Sequence, residues 1–70
     1  GDSGETYRFT DLPVALRQLV NDMLERLEEK VEPDTFDEIA GPVRTFIAGG
    51  DVMTTDELHS HLARILQYLV

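Results

Sequence analysis

Cysteine is missing altogether from these 70 residues, which excludes disulfide bonds and thiolate metal sites. The same lack fits a reducing compartment, so a cytoplasmic location is expected. Lysine is almost missing too. Lys30 is the single one, and Lys and Arg together number six against fourteen Asp and Glu, a net charge of -8. So acidic a chain repels a phosphate backbone, which argues against nucleic-acid binding. An anionic membrane surface is disfavoured for the same reason. No apolar run approaches the ~18 residues of a membrane span, and no basic-then-apolar segment marks a secretion signal.

The residue constellations of catalysis and metal binding are also lacking. His59 and His61 are two apart, which on a helix separates them by about 200°, so they cannot share a metal ion. Glu57 and His61 could face one ion, but two ligands fall short of the usual three or four. Ser60 has no base that faces it, because adjacent helix positions point apart. The glycines Gly41 and Gly49-Gly50 do not have phosphate-loop spacing. A calcium loop ending in Glu57 would need oxygens at its first, third and fifth positions. Those positions hold Phe46, Ala48 and Gly50, none with a side-chain oxygen. The expectation is a protein that is not an enzyme and takes no cofactor or metal.

What the chain does have is helical periodicity with clear punctuation. Leu12, Leu16, Leu19, Val20, Met23, Leu27 and Val31 recur mostly at steps of three and four, the mark of an amphipathic helix of about 18 residues. Pro13 suits its first turn, with Thr10 or Asp11 as cap, and Pro33 ends it after Glu32. Thr35 and Glu38 fit a capping box ahead of Phe36, Ile39, Ala40, Val43, Phe46 and Ile47. Gly41-Pro42 interrupts that second helix, so a kink or two short helices are expected there. Gly49-Gly50 stops it. Thr54 and Glu57 repeat the capping box before Leu58, Leu62, Ile65, Leu66 and Leu69. An offset of 19 residues lays the second helix on the third, Thr35 on Thr54 and Val43 on Leu62 among others. Capping and periodicity rules alone produce such a match, so no duplication need be invoked.

The fold expected is a small all-α domain of three helices with a kinked middle helix and a short N-terminal extended arm. Residues 1–9 form the arm or linker and 10–70 the single helical domain, with Tyr7 and Phe9 on one face of the arm. The leading Gly1–Gly4 stretch reads as a linker end.

A domain this short buries only about 60% of its unfolded surface, so its core is marginal when alone. With no disulfide or thiolate metal site to reinforce it, association gains weight. Asp22, Glu25, Glu29 and Glu32 step by three, four and three along the first helix, and the C-terminal end of a helix disfavours such anions by about 0.3–1 kcal/mol each. Helix stability does not account for them; a solvated face, salt adaptation or a basic partner would. The function expected is a protein-protein interaction module for docking, adaptor or dimerisation roles, within a larger chain or assembly. Its partner is another protein, basic in character, or a second copy forming a homodimer. Leu16, Val20, Met23 and Leu27 are expected as apolar anchors, with the four acids setting encounter rate and salt dependence. The alternative is an acidic mimic of nucleic acid that binds a basic protein. A third reading is a salt-adapted scaffold without a specific partner.

Overall fold

Three helices form where the apolar spacing places them, and a two-stranded ribbon ties the arm to the last of them. The computed structural model describes residues 4–70; residues 1–3, part of the expected linker end, lie outside that range. Strand β1 (Thr6–Tyr7) leads into a 3-10 turn at Phe9–Asp11 and helix α1 (Val14–Lys30). Helix α2 (Pro33–Ile47), strand β2 (Met53–Thr54) and helix α3 (Thr55–Leu69) follow. The domain is all-α with a short extended arm.

The arm is a paired strand. β1 runs antiparallel to β2, with Thr6 opposite Thr54 and Tyr7 opposite Met53. Its Phe9 ring then meets Phe46 edge-on at 5.8 Å between centroids. The ribbon joins the N-terminal ends of α1 and α3. At the other end, Lys30 Nζ donates to the Leu69 carbonyl at 3.4 Å. The two helices therefore run in the same sense, side by side.

The punctuation differs from expectation at two starts. Asp11 does not cap α1; its carboxylate accepts from the Arg8 N–H at 2.9 Å and closes the 3-10 turn. Leu12, held extended by the proline after it, separates that turn from α1, whose N-cap is Pro13. Helix α2 begins at Pro33, so Thr35 lies inside the first turn and makes no cap bond. Proline at the first helical position needs no N–H there and has its φ already set, which outweighs the Thr-x-x-Glu match. Glu32 is correspondingly the N-cap of α2 and not the last acid of α1. It and Asp34 stand at the positive end of the α2 dipole, where anions are favoured.

Two features follow the local rules. Thr54 and Glu57 close the full capping box of α3: the Thr54 N–H donates to Glu57 Oε1 at 2.8 Å, and the Glu57 N–H to Thr54 Oγ1 at 3.1 Å. At the end of α2, Gly49 turns left-handed with φ 85°. Its N–H donates to the Phe46 carbonyl, and the Gly50 N–H to that of Thr45. This is the paired closure that glycine makes affordable at a helix end. Ahead of that glycine stop α2 runs unbroken through Gly41-Pro42 and does not divide into two short helices. Pro42 and Glu38 are both exposed, so water can serve the Glu38 carbonyl that proline leaves without its donor.

The core lies where the three helix stripes meet. Val20, Leu27, Ile39, Val43, Phe46 and Ile65 are its most completely enclosed side chains. Among the described residues no polar or charged side chain is buried. Specificity in this interior therefore rests on shape.

Candidate interaction surface

Helix α1 meets a neighbour on each flank, and the two flanks are finished differently. Toward α2, a groove of about 450 Å³ beside Leu24 and Phe36 is lined by the polar side chains Asn21, Glu25, Glu28 and Arg44, and the Arg44 guanidinium lies 5.4 Å from the Phe36 ring centre. Arg44 is held there by Asp37 at 3.3 Å. Toward α3, the lining is mostly apolar. An open groove of about 470 Å³ runs between α1 and α3. Met23 and Leu62 lie low in it, and Leu19, Leu66 and Val70 stand along its edges. Leu19 is 50% exposed and Leu66 49%, although both belong to apolar stripes.

This corrects the apolar anchors. Val20 and Leu27 have no exposed surface, and Met23 is 9% exposed. They occupy the middle of the α1 stripe, which α2 and α3 cover, so they hold the fold together and cannot also reach a partner. Only Met23 among them borders the groove. Leu16 is half-buried and turned to a different place, a smaller cavity of about 200 Å³ beneath the arm. The residues that do face solvent across the groove, Leu19 and Leu66, each adjoin in sequence a fully buried residue, Val20 and Ile65. Consecutive leucine-sized residues at the middle and edge of a stripe are the sequence signal of such a flank.

The acids lie elsewhere. At about 100° per residue, Asp22, Glu25 and Glu29 fall roughly 140–200° around α1 from Val20, on its outward back. All three are exposed, and Glu32 follows beyond the helix end. Most of the acids and core anchors thus point in opposite directions and do not form one contact surface; Met23 and Asp22 are the pair that meet, at the groove. Asp22 alone of the row reaches the groove rim, next to Arg26. These two pair at 3.4 Å with side chains 58% and 67% exposed.

Electrostatic perturbation is found at two groups, one in the arm and one at a cap: the charge of the Glu5 carboxylate raises the Tyr7 hydroxyl above the usual tyrosine range. The Thr54 backbone N–H, then its hydroxyl, holds the Glu57 carboxyl below the usual glutamate range. His59 borders the groove, while His61 is half-buried and does not line it. Among the described residues no three of His, Asp or Glu come together in a way that could hold a metal ion. Among the described residues no helix is long and apolar enough to cross a membrane. What the surface offers chemically is an apolar trough with a nearly neutral rim, beside a strongly acidic back. Comparison with known proteins returns no match, neither a family model, nor a curated protein, nor a solved structure.

Proposed function

We propose that this chain is a protein-protein interaction module that associates through the groove between α1 and α3. The observation that carries the reading is the pair of half-exposed leucines, Leu19 and Leu66, above Met23. Burying a leucine fully contributes about 1.5–3 kcal/mol, so enclosing the exposed halves of both would contribute about as much again as one such leucine. Apolar surface gathered in a trough and rimmed by charge is the usual form of a binding site for another protein. The acidic back of α1 has a separate part: it sets the long-range field and draws basic partners toward the molecule. The lack of cysteine is in keeping with a cytoplasmic setting. An acidic mimic of nucleic acid needs carboxylates along most of an exposed face. Helix α3 has only Asp56 and Glu57, both in its first turn, which weighs against that alternative.

The test is selection of displayed peptides on the immobilised domain, with a Leu19→Asp/Leu66→Asp variant of equal helicity as the counter-selecting bait. Apolar or amphipathic peptides retained by the first and lost by the second are expected. A selection that enriches nothing, or peptides held equally by both baits, refutes the groove as the binding surface.

A further inference from the structure

Resting on that reading, we infer that the occupant of the α1/α3 groove is a second copy of this chain, related by a two-fold axis. The argument starts from charge. Two chains of net charge -8 repel each other across most of their surfaces. The groove is an exception: among the described residues its lining has one acid, Asp22, against one arginine, Arg26, and one histidine, His59. A basic partner would find little to attract it inside the trough, whereas a second copy meets no net like charge there.

The rim is also self-complementary. In a two-fold interface each residue meets its counterpart's partner in exchange. Asp22 and Arg26 stand one turn apart on α1, about 6 Å along its axis. A two-fold axis crossing α1 level with Leu24 lays the second α1 antiparallel and sets Asp22 of each copy beside Arg26 of the other. Both side chains are more than half in water in their present 3.4 Å pair, so both are free to turn outward.

Helix direction favours the same arrangement. α1 and α3 run in the same sense, fixed by the ribbon at one end and the Lys30–Leu69 contact at the other. Their dipoles are aligned side by side, and an antiparallel pair from a second copy places opposite dipole ends next to each other. Leu19 and Leu66 of each copy then fill the trough of the other, in a layer of four helices.

The experiment measures solution mass by light scattering and sedimentation at concentrations up to about 1 mM, where even a weak dimer is populated. Monomer converting to dimer is expected, and Leu66→Asp, at unchanged helicity, is expected to remain monomeric. The exposed rim gives a second set of variants that leave the core untouched. Asp22→Arg and Arg26→Asp should each weaken self-association about tenfold, because each sets like charges face to face twice. An equimolar mixture of the two should associate again, since a rim of two arginines then faces a rim of two aspartates. A chain still monomeric at about 1 mM overturns the inference. So does a dimer indifferent to Leu66→Asp, or a mixture that associates no better than its components. A monomer whose groove still selects peptides removes the second copy and leaves the interaction module standing. A monomer whose groove selects nothing removes both.

Discussion

Helices α2 and α3 are the same length, fifteen residues each, and the 19-residue offset lays one apolar stripe on the other. Their fates differ. α2 buries five apolar side chains and α3 two. At the aligned positions, Phe46 and Ile65 are both enclosed, but Ile47 is half-buried where Leu66 stands 49% exposed. The cause is what lies over each stripe. Phe9 from the arm packs on Phe46, and Arg44 lies over Phe36. The flank of α3 beside α1 has no such cover among the described residues. Amphipathicity measures how much apolar surface a helix brings. How much of it is enclosed depends on accessory residues from elsewhere in the chain.

The comparison can be broken most forcefully by truncation. Phe46→Ala removes a fully buried ring and is expected to cost about 3–5 kcal/mol, enough to unfold much of a domain this small. Leu66→Ala, at the edge of the α3 stripe beside the residue aligned with Phe46, is expected to stay within about 1 kcal/mol, since half its surface is already in water. Chemical denaturation followed by circular dichroism measures both, and similar losses at the two sites would erase the distinction.

The helix starts sharpen the comparison at smaller magnitude. Thr54→Ala removes the cap of α3 and should cost about 1 kcal/mol. Thr35→Ala, at the aligned place in α2, should change stability by less than about 0.5 kcal/mol, because Pro33 and not Thr35 starts that helix. Thermal midpoints of the two variants decide this, at about 4–8 °C per kcal/mol for a domain of this size.

The smallest effect is a pH dependence confined to α3. Glu57 is held below the usual glutamate range by its bonds to Thr54. A carboxyl whose folded pKa is depressed contributes stability above its unfolded value, near 4.3, and loses it as the pH falls through the lower folded one. The stability difference between the wild-type chain and Glu57→Gln should therefore be constant near neutrality and shrink below about pH 4.3. A difference that is flat across the acid range would show that the carboxylate adds nothing at this cap.

How far the sequence could be read follows from the range of each interaction. The Thr54–Glu57 box, the glycine stop at Gly49-Gly50 and the three apolar stripes are set by residues within a turn or two of one another, and all are found where the spacing puts them. The α2 start was misplaced because two local rules compete there, and a fixed proline φ outranks a side-chain cap. Glu32 changed helices for the same reason. The groove was the least legible part. Val20 and Leu27 are equally plausible as core or contact from periodicity alone, and their burial is decided by how α2 and α3 close over the stripe. The strand pairing of the arm was beyond a local reading altogether, because its partner lies at Met53–Thr54.

That pairing gives the molecule its timing. Helices assemble from near neighbours within microseconds, but residues 6–7 must find residues 53–54 across most of the chain. Closing so long a loop is entropically costly and returns only a two-residue ribbon until Phe9 reaches Phe46. The arm thus acts as a clasp. It is expected to fasten last when the chain folds and to open first, as a local unit, so the backbone amides of β1 and β2 should exchange with solvent faster than those at the centres of the three helices.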